Sequence, residues 1–477
     1  MLKVALIGTL AQSSESHPLN SPVIPANSLL TNDACKGMKA LKIITLIFIQ
    51  SALLISQNLQ IGGYIQADDR VKLKDKTISW EEYRLNLTGQ VELENVKFYS
   101  EIWVRNFGSS DVKKISDLLD RNYVEPVDIK IREAYVDVKD FLIDNLDLKV
   151  GRQRIAWGTA DKLNPTDNLN PDDLEDIWDY GRHLGSNAIK LSYYIGDFTF
   201  TSVFIPTFTP AVLPRGDWVK IFTDEFFPGA IQTQIQTQIQ NPDPSLKEAS
   251  KFGLKISKRD ILGFAFSLSY VYGRDDIPIP YKVSGKFKDG KFVPDSVLLF
   301  FPKMKIVGFD LTGDIKGIGV WGEAGIFYPE EVILETVISN IPIQKSETIL
   351  KKENYTRFVL GFDYTFKNGI YANVQYLHGF LHERGRENLR NYIVFNFERK
   401  FMNDKVKFNF LSGGFEFKRA KDVKNNYALI YNPQISYNPI DNLEFTIGVR
   451  LIEGKGRTTF GRLSDRDEIY LKVKYSF

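Results

Sequence analysis

Apolar and polar residues alternate along many short segments of this chain. In an extended strand, successive side chains point to opposite faces, so a period of two separates an apolar row from a polar row. The segment 358–366 is the clearest example, and 262–272 and 443–451 repeat its pattern. Its second row includes Arg357 and Asp363, which favour contact with water. Its apolar row consists of Phe358, Leu360, Phe362, Tyr364 and Phe366.

Short turns and long polar stretches separate these segments in alternation. The short turns contain the residues that β-hairpins prefer, because Gly, Asn and Asp tolerate the backbone angles of tight turns. Among them, Asn368-Gly369 predicts a type I′ turn, which needs positive φ at both central positions. The predicted turns are Asp144-Asn145, Gly196-Asp197, Arg259-Asp260, Asn368-Gly369, Asn403-Asp404 and the corner at 439–442.

Counting the segments predicts about 18 strands, with 16 as the lower bound, joined by about eight tight turns and nine longer loops. An even number brings both ends of the sheet to one side of a barrel. Two regions leave the count open, because 279–300 could form an extra hairpin and the alternation breaks at Glu133. The long stretches lie near 106–127, 155–187, 207–250, 274–302, 329–354, 380–389, 416–426 and 453–466.

The fold class that this pattern predicts is all-β: a closed antiparallel transmembrane β-barrel with short periplasmic turns and long extracellular loops. Backbone polar groups find no water inside a bilayer, so strands that span it must close into a barrel. Barrels of about 16 to 18 strands are wide enough to leave an aqueous channel. A soluble β-sandwich or propeller is the alternative, but one-sided aromatic rows, a signal peptide and the terminal Phe477 would each need a separate explanation.

Composition agrees with this fold and excludes other classes. No stretch approaches the roughly 18 to 20 consecutive apolar residues of a transmembrane helix. An aromatic content of 13%, with 34 Phe and 22 Tyr, suits strands whose aromatic residues anchor at the membrane interface. The formal net charge of +2 gives no electrostatic case for binding nucleic acid.

One apolar run lies near the start of the chain. Basic residues after Met38 lead into a 13-residue apolar run at 43–55, and small and polar residues follow it. This order predicts a secretory signal peptide at 38–56. Because signal peptides begin at a methionine, we interpret 1–37 as an upstream extension from an over-long reading frame. A genuine N-terminal extension is the alternative.

A single barrel domain is predicted at 58–477. The chain has one cysteine, Cys35, which precedes the predicted signal peptide. A processed chain without cysteine suits an oxidising envelope compartment and offers neither disulfides nor thiolate metal ligands.

The final strand, 469–477, alternates strictly and ends on Phe477. It resembles the signal by which Gram-negative outer-membrane β-barrels are recognised for insertion. This resemblance implies the barrel-assembly machinery as a partner and an outer-membrane location.

A second resemblance rests on two neighbouring motifs. Gly-Arg-Gln at 151–153 and Trp157-Gly158 are followed by a stretch rich in Asn, Pro and Asp at 164–173, and the pattern extends to 204–210. It is similar to that of a group of large uncharacterised proteobacterial outer-membrane barrels akin to alginate-export and general porins. The resemblance implies passive transport, contact with outer-membrane lipid and lipopolysaccharide, and an assembly that can be a homotrimer. It names no solute.

The polar rows of the predicted strands would line the lumen. These rows carry more bases than acids, and a positive wall lowers the barrier for anions. A preference for anions is therefore one hypothesis, and charges that only solvate the channel and pair with one another are the alternative. The candidate pore-lining residues are Arg84, Lys97, Glu101, Arg105, Lys190, Lys255, Glu323, Arg357, Asp363, Glu444, Arg450, Lys472 and Lys474. Aromatic residues on the same rows, which could guide sugars or pack against a loop, are Tyr99, Trp103, Tyr194, Trp321, Tyr371 and Tyr470.

Two long loops could narrow the lumen, because a loop folded inward is the usual constriction in the porins that the chain resembles. The longest, 207–250, contains a repeat of Gln, Thr and Ile at 232–240. The other, 155–187, is acidic and suggests either a calcium site or a solvated surface facing lipopolysaccharide, although EF-hand spacing is absent. Its acids are Asp161, Asp167, Asp172, Asp173, Glu175, Asp176 and Asp179.

Catalysis, cofactors and metals are not predicted. The predicted mature chain contains His183, His378 and His382, and none belongs to a recognisable nucleophile or metal motif. Phosphate-binding, zinc-protease and serine-hydrolase motifs are missing from the sequence. The chain is therefore predicted not to be an enzyme.

The predicted function is an outer-membrane porin: an aqueous channel for passive diffusion of small hydrophilic solutes, with anions as the favoured class. An energised receptor is not expected, since the first strand begins near Leu59 and leaves no room for a plug domain. The alternatives are a structural or adhesive surface barrel with a loop-blocked lumen, and a transporter of hydrophobic compounds.

Overall fold

Alternating residues form strands along most of the chain. The computed structural model describes residues 58–108, 110–219, 236–340, 343–455 and 458–477. The predicted signal peptide, the upstream extension and Cys35 lie outside the described residues.

Nineteen of the strands belong to one antiparallel sheet. They are β1 (Leu59–Lys72), β2 (Ile78–Leu93), β3 (Val96–Asn106), β4 (Val127–Val138), β5 (Leu146–Gln153), β6 (Ser186–Ile195), β7 (Phe198–Ile205), β9 (Lys251–Ile261), β10 (Phe264–Arg274), β13 (Lys303–Ile315), β14 (Ile318–Pro329), β17 (Tyr355–Thr365), β18 (Ile370–His378), β19 (Asn391–Phe401), β20 (Val406–Phe417), β21 (Tyr427–Tyr431), β22 (Gln434–Ile440), β23 (Leu443–Gly454) and β24 (Glu468–Ser476).

The sheet closes on itself because β24 pairs with β1, from Tyr64 opposite Ser476 to Lys72 opposite Glu468. The short strands β21 and β22 each pair with both β20 and β23, so they are two halves of one wall strand. Pro433, which has no backbone N–H, lies at the break between them. Nineteen named strands thus form 18 wall strands, and the prediction of a closed antiparallel barrel of about 18 strands is confirmed.

Eight short turns and both ends of the sheet lie at one rim. Two turn predictions were wrong in detail. Arg259-Asp260 lies inside β9, and the connection to β10 is Leu262-Gly263. At Asn368-Gly369 only the glycine has positive φ, +81°, and its N–H donates to the carbonyl of Phe366, as in a three-residue loop rather than a type I′ turn.

The two regions that left the strand count open have physical explanations. Glu133 pairs with Glu101 and Ile131 with Ile102, so Arg132 is an extra residue in a β-bulge. The segment 279–300 is a hairpin, but it lies outside the barrel wall.

That hairpin belongs to a separate sheet built from three long loops. Its strands are β8 (Gln236–Gln240), β11 (Ile279–Lys288), β12 (Lys291–Phe300), β15 (Val332–Ile338) and β16 (Ile343–Leu350), in the order β16-β15-β11-β12-β8. The contacts between different loops are parallel, β11 with β15 and β12 with β8. The described part of the Gln, Thr and Ile repeat is β8.

Helices are short in the described part of the chain. The two α-helices span Arg121–Val124 and Leu246–Ala249, and the 3₁₀-helices span Ile115–Leu119, Gly216–Val219, Ala420–Asp422 and Phe460–Leu463. No helix among the described residues is long and apolar enough to cross a membrane.

The outer surface of the barrel is apolar, as the period of two predicts. Leu268 is 55% exposed and Leu360 is 56% exposed, whereas Ser267 and Val359, on the other face, are buried. Aromatic residues mark both rims, as expected at membrane interfaces. Those near the short turns are Phe98, Phe198, Phe366, Phe401 and Phe477, and those near the long loops include Tyr83, Tyr272 and Tyr328. The chain is therefore a membrane-spanning barrel of the outer-membrane type.

Candidate solute pathway and inner loop

The connection between β5 and β6, residues 154–185, folds into the barrel and is called the inner loop below. Its backbone N–H groups at Thr159 and Ala160 donate to Glu323 Oε2 on β14, at 2.9 and 3.1 Å. The N–H of Thr166 donates to Glu323 Oε1 at 2.7 Å. The N–H of Asp161 donates to Gln375 on β18 at 3.3 Å. The loop therefore crosses the lumen from its own strands to the far wall.

Ion pairs tie the acidic part of the inner loop to the wall. Asp176 accepts two hydrogen bonds from Arg70 on β1, at 2.8 and 2.5 Å, and both side chains are buried. Glu175 pairs with Arg105 on β3 at 2.7 Å. Asp173 pairs with the bulged residue Arg132 on β4 at 2.7 Å. The bulge thus gives the wall an additional arginine aimed at the loop.

These pairs set the charge state of the loop acids. Burial alone would raise the pKa of Asp176, but the neighbouring Arg70 more than offsets burial and holds that pKa well below its usual range. Arg182 and Arg132 likewise lower the pKa of Asp173 against the effect of burial. The interpretation of the loop as a solvated surface is wrong. Among the described residues, no group of three or more His, Cys, Asp or Glu side chains is arranged to hold a metal ion.

Apolar residues of the inner loop pack against an inner wall that is itself apolar in places. Trp157 and Leu169 are buried in a cluster with Val203, Val271 and Phe327 of the wall. A second cluster joins Leu163, Leu174 and Ile177 to wall residues Val359, Leu377 and Tyr392. Part of the bore is consequently dry, which the alternation of charged residues did not predict.

A glycine on the inner face makes room for this packing. A Cβ atom added at Gly253 on β9 would lie 2.8 Å from Trp157 Cη2 and 2.9 Å from Leu169 Cδ2. The absence of a side chain at that position therefore lets the loop lie flat on the wall. Inward-facing glycines are the sequence signal that could have identified the inner loop.

A larger wet cavity remains beside the inner loop and is called the lumen cavity below. Its volume is about 680 Å³. Its carboxamides are Gln66, Asn373, Gln375, Asn396, Asn409, Asn432 and Gln434. Its bases are Arg84, Lys162, Arg450, Lys472 and Lys474, and its acids are Asp68, Asp161, Asp176, Asp179, Glu416 and Glu444. Apolar and aromatic residues, among them Phe380, Phe395 and Phe460, complete the lining. The cavity is therefore mixed in polarity and nearly balanced in charge.

Five of the predicted pore-lining residues border the lumen cavity: Arg84, Glu444, Arg450, Lys472 and Lys474. Arg84 forms a two-pronged ion pair with Glu82, and its guanidinium lies 4.0 Å from the centre of the Trp103 ring. Arg450 pairs with Glu468, and Lys472 pairs with Asp68 at 3.0 Å. Most of these charges are thus compensated by neighbours.

The other predicted residues contact the wall or the inner loop. Glu101 accepts hydrogen bonds from Asn86 and Trp103, and Asp363 accepts one from Tyr371. Lys255 lies 3.4 Å from Asp310. The remaining two lysines are half-buried on β3 and β6: Lys97 and Lys190.

Arg105, Glu323 and Arg357 lie under the inner loop rather than in the lumen cavity. Arg105 binds Glu175, Glu323 binds the loop backbone, and Arg357 donates to the carbonyl of Leu381 at 2.9 Å. Their assignment as pore-lining residues remains a prediction.

Sequence reasoning missed several polar residues of the cavity. Asp68 on β1 borders the cavity, and alternation alone could have identified it and Arg70, the next residue of its inward row, which binds Asp176 of the inner loop. Asn432 and Gln434 were also missed; their side-chain oxygens lie 3.0 and 2.7 Å from the hydroxyl of Tyr470, which the sequence did place on an inward row. The carboxamides were missed because the pore-lining residues were predicted from their charge, and Asn and Gln carry none.

A second, smaller cavity lies behind the inner loop. Asp172, Asp276, Arg357 and Lys251 are among the residues that line it. Burial, together with the nearby Asp276, raises the pKa of Asp172 to about 7. His183 Nδ1 lies 3.3 Å from Asp172 Oδ1.

No protein-family model and no curated protein matches this chain. Several solved structures resemble it in fold. OccK8 (OprE) of Pseudomonas aeruginosa aligns with 88% of this chain and 98% of its own, at 9% identity and a TM-score of 0.47. OccK11 (OpdR) of the same organism aligns with 88% of this chain and 96% of its own, at 8% identity and a TM-score of 0.48. OmpT, an outer membrane protein of Vibrio cholerae, aligns with 88% of this chain and 97% of its own, at 10% identity and a TM-score of 0.38. Identities this low identify no solute.

Proposed function

We propose that this chain is an outer-membrane porin, a channel for passive diffusion of small hydrophilic solutes. The observation that supports this proposal is the lumen cavity of about 680 Å³, lined by carboxamides and charged groups within a closed barrel. Polar walls of this kind replace part of the hydration of a solute as it passes. The inner loop narrows the path, so the proposed channel admits small solutes only.

Charge selectivity is expected to be weak. Five bases and six acids border the lumen cavity, and fixed charges of opposite sign cancel at close range. The preference for anions, which rests on wall residues alone, therefore remains a prediction. It depends chiefly on Lys474, which lies 4.5 Å from the Tyr64 ring and forms no ion pair within the described residues.

Planar-bilayer recording of the refolded protein tests this function. We expect steady conductance steps and a reversal potential close to zero in a salt gradient. The matched variants Lys474→Gln and Lys424→Gln distinguish the effect of a charge in the lumen cavity from the effect of a surface charge. Lys474 borders the lumen cavity, and Lys424 lies in an outer loop. Only Lys474→Gln should shift the reversal potential, toward cation selectivity. Electrical silence of a folded barrel would contradict the proposal.

A structural or adhesive barrel with a blocked lumen is the second candidate. The two apolar clusters inside the barrel favour it, because they fill part of the bore. Electrical silence combined with intact folding would support this candidate. The carboxamides and charged side chains that border the lumen cavity argue against transport of hydrophobic compounds.

The remaining proposals concern export and assembly. We expect a signal peptide at 38–56, insertion by the barrel-assembly machinery, contact with lipopolysaccharide, and a homotrimer as one possible assembly. Peptide sequencing of exported protein tests the first, since a peptide from 1–37 would contradict it.

A further inference from the structure

The smaller cavity behind the inner loop contains charges that do not pair with one another. It is bordered by the inner loop, by strands β9, β10, β13, β14 and β17, and by the turns after β10 and β18. Its free volume is about 40 Å³. Since one water needs roughly 10–15 Å³ on this measure, the cavity holds about three waters or one organic molecule of similar size.

The positive side of this cavity consists of Arg357 and Lys251, whose ammonium donates to the carbonyl of Asn168 at 3.0 Å. The side chain of Arg357 is buried, with 7% of the residue exposed, and its guanidinium carbon lies 3.9 Å from the centre of the Phe327 ring. Nη1 donates to the carbonyls of Leu381 and Phe380, at 2.9 and 3.3 Å, and Nη2 donates to Asn168 Oδ1 at 3.4 Å. Within the described residues, Nε has no hydrogen-bond acceptor and no carboxylate lies within ion-pair distance of this guanidinium. Arg357 therefore retains an unused donor at Nε and forms no ion pair within the described residues.

The negative side consists of Asp172 and Asp276. Asp276 Oδ2 accepts the backbone N–H of Asp172 at 2.6 Å, and the described residues provide no lysine or arginine within ion-pair distance of either carboxylate. The Asp172 carboxylate oxygen Oδ1 lies 3.3 Å from Nδ1 of His183.

The nearest arginines are already engaged. Arg384 forms two hydrogen bonds with Asp275, at 2.7 and 2.6 Å, and Arg274 pairs with Glu248. Asp172 and Asp276 on one side, and Arg357 and Lys251 on the other, thus border the same small cavity without forming ion pairs within the described residues. Charges that are buried without a direct ion-pair partner are unfavourable unless a ligand or water binds them.

We propose that this cavity is a binding site for a small zwitterion with the size of glycine. The ammonium group of the ligand would donate to Asp172 and Asp276, and its carboxylate would accept from Nε–H of Arg357. One molecule of this kind satisfies both sides of the cavity, whereas an anion or a cation alone satisfies one side. The site is distinct from the lumen cavity, and its occupation does not require that the barrel conduct.

Equilibrium dialysis of radiolabelled glycine against the refolded full chain in detergent tests this site. We expect saturable binding of one glycine per chain. Acetate and methylammonium, which each carry one of the two charges, should compete at least tenfold less well than unlabelled glycine. This competition uses the unmodified protein and needs no variant to fold.

Two charge-removing variants locate the site. Asp276→Asn and Arg357→Gln should each weaken glycine binding at least tenfold, while Asp289→Asn and Arg121→Gln, in exposed positions away from the cavity, should not change it. Absence of saturable binding by the unmodified protein, or equal competition by acetate and glycine, would overturn the proposal and indicate a cavity that holds water only. Because dialysis detects binding without ion flow, neither result bears on the porin function.

Discussion

At the scale of single residues, the buried charges of this barrel mainly form ion pairs that connect the inner loop to the wall. Arg70 holds Asp176 and Asp68, and Arg105 holds Glu175. Such buried pairs contribute less to net stability than their Coulomb attraction suggests, but the loss of one partner is costly because the other charge stays buried. A carboxylate without such a cation should behave differently, and Asp172 is that case.

The stability of the protein should fall with rising pH because of Asp172. Its pKa, raised to about 7 by burial and by Asp276, means that the folded chain binds this proton more tightly than the unfolded chain. The contribution of protonated Asp172 to the free energy of unfolding is fully present below about pH 4, the usual pKa of an aspartate. This contribution is lost as the pH rises through about 7. Paired acids such as Asp176, whose pKa is lowered, lose their contribution only in more acidic solution.

Urea unfolding in lipid micelles at pH 5 and pH 8 checks this expectation. Relative to the unmodified chain, Asp172→Asn should become more stable at pH 8 than at pH 5, by an amount on the order of 2 kcal/mol. Asp289→Asn, in an exposed turn, serves as the control and should show the same difference at both pH values. A stability difference for Asp172→Asn that does not change with pH would contradict the raised pKa.

At the scale of elements, the sequence predicts the strands far better than the loops. A lipid-facing row must be apolar at every second position, so the pattern of residues alone assigns Leu443, Phe445, Ile447 and Leu451 to the outer face. The inner row has no such rule, because it contacts water at some places and the inner loop at others. Glu323 is the example: it resembles a pore-lining acid in sequence, yet it accepts four backbone or side-chain hydrogen bonds from Thr159, Ala160 and Thr166.

The glycine at 253 offers a test of how closely the inner loop must approach β9. Gly253→Leu places atoms where Trp157 and Leu169 now lie, 2.8 and 2.9 Å from the new Cβ, so the loop should be displaced. Overpacking of this kind costs about 1–3 kcal/mol. Trypsin should then cleave within the inner loop, at Lys162 or Arg182, while the barrel keeps its resistance to unfolding in cold detergent.

Gly89→Leu is the matched control for this substitution. Gly89 lies on β2, no atom lies within 4 Å of an added Cβ, and its row faces outward together with Leu87. The inner loop of this variant should stay protected from trypsin. Equal protection of the loop in Gly253→Leu would mean that the loop does not depend on close contact with β9.

At the scale of the whole molecule, an open bore that conducts water and solutes is opposed by a loop that narrows it. A wall of 18 strands encloses a bore wide enough for water, whereas the inner loop and its apolar clusters fill part of that bore. The wall is held by backbone pairing that does not depend on the loop, since β5 and β6 pair directly up to Gln153 and Ser186. Loop and wall should therefore be separable by mutation.

Replacing 156–182 by a short Gly-Ser linker tests this separation. The linker can be short because Gln153 and Ser186 already face each other across the strand pair. The barrel should still form, because its hydrogen-bonded wall stays intact, and single-channel conductance should rise several-fold as water fills the space left by the loop. Replacing 284–295, at the tip of the β11–β12 hairpin outside the wall, should leave conductance unchanged. If a folded barrel without the inner loop conducts no better than the complete protein, the narrowest part of the pathway lies elsewhere, and the structure then points to the Phe460–Leu463 turn, whose Phe460 also borders the lumen cavity.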